Sequence, residues 1–204
     1  MQIVSFFIDG YNLYHSLKDY KKNCRWLNLK SLCEKFLKNN EVVGQIYYFT
    51  AYATWNKNKT DKHKLYVKVL MKEGVEPVFG KLKPITRLCQ KCGQRYNTHE
   101  EKQSDVNIAM YLFEDAMKDS FDKAIIISGD SDLVQPIKKI QSNFPTKKIG
   151  VITPYCRSAK ELKDIADFSS KITAKNLEES LFSGIIVMED GTKIHAPAKW
   201  LPNK

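Results

Sequence analysis

Short apolar runs alternate along this chain with stretches of helical spacing, and together they predict its elements. An apolar run bounded by glycine or an acid is typical of a buried parallel strand, whereas apolar residues three or four apart are typical of an amphipathic helix. The runs predict strands at residues 3–9, 42–49, 75–79, 125–128 and 148–152. The periodic stretches predict helices at residues 10–20, 29–37, 62–72, 106–117, 133–140 and 159–166. The alternation predicts an α/β fold in which helices flank both faces of a parallel sheet.

Two segments depart from this alternation. Residues 80–101 show no periodicity, and they predict an inserted loop or knuckle that contains cysteine. Residues 185–188 and 192–195 predict a C-terminal β-hairpin with a tight turn between them. We therefore expect one domain at residues 1–172, interrupted by the insertion, and a hairpin with a tail at residues 173–204.

The composition favours a globular protein that binds a polyanion. Of the 204 residues, 43% are hydrophobic, which is ample for a core and argues against disorder. Lys and Arg total 33 against 23 Asp and Glu, so the formal charge is +10. Nucleic acid is the natural partner of such a surface, with RNA and DNA both open on charge alone.

The chain carries no sign of a membrane or an oxidising compartment. Its first apolar run is too short for a signal peptide, and no stretch approaches the roughly 18 apolar residues of a membrane span. The chain has five cysteines, which is an odd number, and most of them are scattered along the sequence. This distribution does not resemble a disulfide framework. We therefore expect a cytoplasmic protein without membrane contact, and a homodimer formed through the tail is one option for its assembly.

Carboxylates recur where predicted strands give way to helices. Asp9 closes the first strand, Asn12 follows three residues later, and Gly10 between them would let the backbone approach a ligand. Asp130 and Asp132 follow the fourth strand. The alternative is that these residues only cap the next helices. Capping explains one of Asp9 and Asn12 but not both, and Asp132 is a better candidate for a cap than Asp130.

Three further residues extend this pattern. Ser128, in the turn with Asp130, is expected to orient a metal-water shell and a phosphate. Asp105 begins the most strongly periodic helix, where Ser104 is a candidate N-cap and Asp105 is otherwise an ordinary first-turn acid. Lys102 is a candidate phosphate contact, with a solvated lysine as the alternative.

The acids are expected to meet in one crevice, because α/β sheets place ligands at the carboxyl ends of their strands. Converging carboxylates repel each other, and a hard divalent cation such as Mg²⁺ or Mn²⁺ is the simplest relief. Such a cation would neutralise a phosphate and lower the pKa of a bound water. The pattern predicts a metal-dependent nuclease with Asp9, Asp105, Asp130 and Asp132 as catalytic residues and the first three as metal ligands.

Aromatic and cationic residues interleave after the second strand. Tyr52 and Trp55 are expected to face outward beside a group of cations. That group comprises Lys57, Lys59, Lys62, His63 and Lys64. Single-stranded RNA is bound by this combination through base stacking and phosphate contacts.

The insertion contains the half-site of a zinc knuckle. Cys89 and Cys92 have the required spacing, Gly93 follows them, and His99 is the candidate third ligand. The candidates for a fourth ligand are Cys24, Cys33, Cys156, His63 and another subunit. A thioredoxin-like redox pair is the weaker alternative, because the segment is not a strand-helix junction.

Three stretches together resemble the NYN domain, a branch of the PIN-like nuclease superfamily, and in particular its LabA-like group. They are Phe-Ile-Asp-Gly-Tyr-Asn, Glu-Lys-Gln-Ser-Asp-Val-Asn and Ile-Ile-Ile-Ser-Gly-Asp-Ser-Asp-Leu, in the family's order. The resemblance implies a PIN-like, Rossmann-like α/β fold, an acidic cluster that binds Mg²⁺ or Mn²⁺, and cleavage of RNA. It places the family's acidic positions on Asp9, Asp105, Asp130 and Asp132, with Asn12 as a polar partner. The cysteine insertion and the C-terminal hairpin lie outside the family's core pattern.

We therefore expect a ribonuclease that hydrolyses RNA phosphodiester bonds at an acidic metal site. The main alternative is an NYN module that binds RNA and cleaves nothing. A haloacid-dehalogenase-type phosphatase is disfavoured because Tyr11 stands where that class has an acid, two residues after its nucleophilic Asp. A nicotinamide enzyme is disfavoured because no Gly-x-Gly-x-x-Gly stretch follows a strand.

Overall fold

A six-stranded parallel sheet flanked by helices forms the centre of the protein. The computed structural model describes residues 1–20 and 24–201. The strands are β1 (Gln2–Asp9), β2 (Glu41–Thr50), β3 (Val75–Phe79), β4 (Lys81–Leu88), β5 (Arg95–Lys102), β6 (Lys123–Ile127), β7 (Lys148–Thr153), β8 (Phe168–Lys171), β9 (Ile185–Val187) and β10 (Lys193–His195). The helices are α1 (Gly10–Tyr20), α2 (Leu29–Glu34), α3 (Lys57–Lys72), α4 (Ser104–Met117), α5 (Val134–Asn143), α6 (Lys160–Ile165) and α7 (Ala174–Glu179). No helix in these described ranges is long and apolar enough to cross a membrane.

The strand order places a topological switch point at the centre of the sheet. β1 pairs with β2 on one side and with β6 on the other, in the order β3-β2-β1-β6-β7-β8. Open α/β sheets bind ligands outside the carboxyl ends of the strands at such a point. Asp9 ends β1 and Ser128 directly follows β6. The two predicted acidic segments therefore flank this crevice.

Apolar side chains on both faces explain why the central strands form. Phe6 and Ile8 of β1 enter the core beneath α1, α2 and α3, whereas Phe7 enters the core beneath α4, α5 and α6. All three are fully buried. Successive side chains of a strand point to opposite faces, so a strand covered on both faces is apolar throughout. The predicted α/β fold with helices on both faces is confirmed.

The insertion is a regular antiparallel hairpin and not the irregular loop that we predicted. β4 and β5 pair along all eight residues of each strand. Their side chains are mostly exposed or half-buried, so the sequence lacks the apolar alternation that reveals a strand. At the base of the hairpin, the Gly80 N–H donates to the Thr50 carbonyl at 2.8 Å. This bond holds the hairpin at the carboxyl end of β2.

The C-terminal segment packs on the same core as α1, α2 and α3. β9 and β10 form the predicted hairpin, and Phe182 and Ile194 are buried in that core. The Trp26 indole N–H donates to the Ser183 carbonyl at 2.9 Å, and the Trp26 ring contacts the Trp200 ring. The tail therefore continues the layer that covers one face of the sheet.

Candidate active site at the carboxyl edge of the sheet

Asp9 is a buried carboxylate at the end of β1. Only 4% of its surface is exposed. Its Oδ1 accepts a hydrogen bond from the Asn12 N–H at 2.9 Å, and its Oδ2 accepts one from the Ser128 hydroxyl at 2.8 Å. Burial raises the pKa of Asp9 to about 6, although both hydrogen bonds favour the charged form. Asp9 therefore caps the first turn of α1 and still carries a charge that its surroundings compensate poorly.

A chain of hydrogen bonds runs from Asp9 into the loop after β6. The Ser128 hydroxyl accepts from the Asp130 N–H at 3.1 Å, and Asp130 Oδ1 accepts from the Asp132 N–H at 3.0 Å. Asp130 is thus the cap of the 3₁₀ turn at Ser131–Leu133, a role that we had expected of Asp132. Ser128 is fully buried and its hydroxyl positions the two acids, while its predicted role toward a phosphate stays a prediction.

Asp105 joins these acids from the first turn of α4. Its pKa is raised to about 7, first by burial and then by the charges of Asp130, Asp9, Glu101 and Asp132. Carboxylates influence each other in this way only when they are close. The fold therefore brings acids from three segments that are far apart in the sequence within electrostatic reach of one another.

Glu101 is an acid of this site that the sequence analysis did not assign. Its Oε1 accepts hydrogen bonds from the Ser104 hydroxyl at 2.7 Å and the Ser104 N–H at 3.2 Å. Ser104 is therefore not the N-cap of α4; Gln103 holds that position, with a φ of 85°. The charge of Glu101 also raises the pKa of Asp9 and of Asp105. The sequence signal for Glu101 is its position three residues before Ser104 at the start of a helix. This is the spacing at which a side chain caps a helix.

Asn12 adds an unsatisfied acceptor next to Asp9. Its Oδ1 is buried without a hydrogen-bond partner in the described structure, which costs about 1–3 kcal/mol unless a donor or cation compensates. This oxygen lies 3.4 Å from the position that a Cβ on Gly129 would take, so Asn12 borders the Asp130 loop. Gly10 lies where the backbone of α1 packs closely against β2. A Cβ there would lie 2.6 Å from the backbone oxygen of Phe49, so glycine is needed for packing against β2.

The donor set fits a hard cation. Among the described residues, no lysine or arginine forms an ion pair with Asp9, Asp105 or Asp130. However, no three His, Cys, Asp or Glu side chains in the described ranges are grouped so that they could hold one ion together. The prediction that all three acids ligate one ion directly is therefore wrong for this arrangement. Mg²⁺ often takes only one or two protein carboxylates and completes its shell with water and phosphate, which these residues do permit.

The predicted RNA-stacking residues lie in different settings. Trp55 is 48% exposed and stacks on the His99 ring, with centroids 3.2 Å apart and planes at 5°. Tyr52 is half-buried, and its ring packs 4.7 Å from that of Phe79. His63 contacts Tyr52 as well, and burial lowers the pKa of His63 to about 4. His63 is therefore neutral at pH 7 and adds no positive charge, contrary to the prediction.

Two cationic residues neighbour the segments that carry the acids, since Lys102 directly follows Glu101 and Arg157 borders the Asp130 loop. Lys102 forms an exposed ion pair with Glu100 at 2.6 Å. Such pairs contribute about 0–1 kcal/mol, so a phosphate can compete for the ammonium group. Arg157, in the loop after β7, has its Cβ 3.7 Å from the position that a Cβ on Gly129 would take. The sequence analysis missed Arg157, because a single arginine in a loop gives no periodic signal.

The cysteine pair of the insertion lies away from its predicted partner. Cys89 and Cys92 occupy the turn between β4 and β5. The Cys89 sulfur accepts backbone hydrogen bonds from Cys92 and Lys91, which lower the pKa of its thiol. His99 lies in β5 four residue pairs back from the turn, about 13 Å along the strand. The predicted grouping of His99 with the two cysteines is therefore wrong.

Comparisons with known proteins agree with this architecture. The fold is similar to that of VPA0982, a protein of unknown function from Vibrio parahaemolyticus RIMD 2210633, with a TM-score of 0.56 and 20% identity over 85% of this chain and 94% of that chain. A stretch of 55 residues is 36% identical to the 6-hydroxy-3-succinoylpyridine 3-monooxygenase HspA of Pseudomonas putida (strain DSM 28022 / S16), covering 27% of this chain but only 17% of that protein. The family model for the NYN domain matches residues 3–173. The chain therefore belongs to the NYN family, within the PIN-like nuclease superfamily.

Proposed function

We propose that this protein is a metal-dependent ribonuclease that hydrolyses RNA phosphodiester bonds. The observation that carries the proposal is the convergence of Asp9, Asp105 and Asp130 at the switch point of the sheet. Asp9 is buried and Asp105 and Asp130 are half-buried, and carboxylates in such surroundings without cationic partners in the described structure reduce stability and cluster at functional sites. Membership of the NYN family supports nuclease chemistry at this position.

In the proposed mechanism, Asp9 and Asp105 would hold Mg²⁺ or Mn²⁺, with Asp130 and Asp132 as further anionic groups beside it. Such an ion would supply positive charge to neutralise the scissile phosphate and to lower the pKa of the attacking water. Ser128 keeps Asp9 oriented and favours its charged form through the hydrogen bond to Oδ2. Asp105, with a pKa of about 7, changes its charge near neutral pH. The charge of the site therefore depends on pH in the physiological range.

RNA is the proposed substrate because cations and an exposed indole accompany the acids. The net charge of +10 favours a polyanion. Arg157 and Lys102 supply phosphate contacts, and Trp55 supplies a surface on which a base stacks. DNA carries the same phosphates, so a DNA strand of matched sequence belongs in the test.

The test is cleavage of a labelled single-stranded RNA, and of the matched DNA, with Mn²⁺, Mg²⁺ or EDTA. We expect the wild type to cut RNA only when the ion is present. Asp130→Asn should cut about 10- to 100-fold more slowly. Asp164→Asn, which removes an exposed acid on α6, should cut at the wild-type rate. RNA binding without Asp130-dependent cutting would instead favour a non-catalytic RNA-binding module.

A further inference from the structure

The turn of the β4–β5 hairpin carries chemistry that the acidic site does not use. Cys89 and Cys92 are free cysteines there, three residues apart in the turn that joins the two strands. Backbone N–H groups of Lys91 and Cys92 donate to the Cys89 sulfur. Gly93 has a φ of 70°, and its N–H donates to the Cys89 carbonyl at 2.8 Å. The turn is a preformed half-site with two sulfur ligands.

Within the described residues, this half-site has no further ligand from its own chain. A structural zinc site needs four ligands. In the part of the chain that the structure describes, no third His, Cys, Asp or Glu side chain joins the pair. His99 is stacked on Trp55 four residue pairs away, and Cys24 and Cys33 are buried. A complete zinc site at this turn therefore needs ligands from outside the described residues of this chain, and a second molecule can supply them.

We propose that two copies of this chain share one Zn²⁺ ion between their hairpin turns, with Cys89 and Cys92 of each copy as its four ligands. A two-fold axis through the ion makes the two contributions equivalent, as in most homodimers. Each strand of the hairpin has eight residues, so the turn extends about 26 Å from the strand ends at its base. Two turns can therefore meet while the domains stay apart.

Charge and apolar surface at the turn favour a second copy as the partner. Four thiolates around one Zn²⁺ leave a net negative charge, which Lys91 and Arg95 beside the turn offset. Leu88 is 63% exposed and Tyr96 is 49% exposed, and a second hairpin would cover this apolar surface. Without the ion, the cations of the two turns repel each other. Pairing of the two copies should therefore depend on zinc.

The experiment titrates the full-length, reduced, metal-free protein with Co²⁺ and with Zn²⁺ and then measures its mass by light scattering. Co²⁺ bound to thiolates has visible and near-ultraviolet absorption bands that report the ligands. We expect saturation at one ion per two chains, a mass that doubles with Zn²⁺, and reversal by a chelator. Cys92→Ser should abolish both the binding of the ion and the doubling of the mass. Cys156→Ser, which removes another exposed cysteine, should leave both unchanged.

Four results would overturn this proposal, of which the first three concern metal binding. These three are saturation at one ion per chain in a monomer, binding that survives Cys92→Ser, and no binding of either ion. A dimer that forms without metal and dissociates on reduction would overturn it as well, because it would be a disulfide. The cysteines lie at the hairpin turn and the acids at its base, so these outcomes are independent of nuclease activity.

Discussion

The Ser128 hydroxyl donates a hydrogen bond to Oδ2 of Asp9 at 2.8 Å, between residues 119 positions apart in the chain. The same hydroxyl accepts the N–H of Asp130, so one fully buried oxygen joins two acidic segments. A hydrogen bond to a carboxylate favours its charged form. At Asp9 this bond opposes the burial that raises the pKa to about 6. Ser128 therefore helps to keep Asp9 charged near neutral pH.

Ser128→Ala should raise the pKa of Asp9 further and destabilise the protein by about 1–3 kcal/mol, because a buried carboxylate loses its donor. The pH profile of metal-dependent cleavage should then move to higher pH. Ser131→Ala, which removes an exposed hydroxyl from the same loop, should change neither property. Urea denaturation and pH-rate profiles measure the two effects. A Ser128→Ala profile that overlays the wild type would disprove the positioning role.

Asp105→Asn should stabilise the metal-free protein near pH 8. The pKa of Asp105 is about 7 in the fold against 3.8 as its ordinary value, so the folded state binds more protons between these values. The contribution of Asp105 to stability therefore falls as the pH rises from about 4 to 7, and the full penalty is present above pH 7. Its removal should recover about 1 kcal/mol after allowance for solvent screening. Urea denaturation of both proteins near pH 4 and pH 8 tests this, and equal stability near pH 8 would contradict it.

Binding of Mn²⁺ should offset the loss of stability that the charged Asp105 carboxylate causes above pH 7. An ion that binds only the folded state stabilises it by about 2.7 kcal/mol at 100 times its Kd. The rise in Tm should be large near pH 8 and small near pH 5, because protons on Asp9 and Asp105 compete with the ion at low pH. Thermal unfolding with and without Mn²⁺ measures this. A rise that does not depend on pH, or that persists in Asp105→Asn at full size, would show that the ion binds elsewhere.

Trp55→Ala should weaken binding of single-stranded RNA by about 1–3 kcal/mol, the usual contribution of one stacked base. Met117→Ala, which removes a side chain that is 66% exposed at the opposite end of α4 from Asp105, is the matched control. Fluorescence anisotropy in EDTA measures binding without cleavage. Equal affinities for the two variants would exclude Trp55 from the RNA-binding surface.

The central strands could be predicted from the sequence because both of their faces are covered. Phe6, Phe7 and Ile8 are buried on opposite faces of β1, and this burial gives an unbroken apolar run. β8 is an edge strand whose residues are all exposed, and it was not predicted. The strands β4 and β5 were not predicted either, because their residues are exposed or half-buried. Strands that bury little carry almost no pattern in their sequence.

The site was predictable as far as it depends on strand ends. Asp9 ends β1 and Asp130 lies in the loop after β6, so the parallel sheet alone brings them to one edge. The place of Glu101 depends on the hairpin returning to the start of α4, and the cap of α4 depends on the left-handed backbone of Gln103. The sequence positions of Glu101 and Gln103 do not determine this geometry. The role of Asp130 as a cap likewise depends on hydrogen-bond geometry, which the sequence does not specify.

The most direct test of the central claim is a crystal structure of the protein soaked in Mn²⁺, with anomalous data collected at the manganese edge. We predict an anomalous peak among Asp9, Asp105 and Asp130, about 2.1 Å from at least one carboxylate oxygen if Mn²⁺ follows the geometry of Mg²⁺. Acids that point into separate regions with no peak between them, or a peak only elsewhere on the molecule, would contradict it.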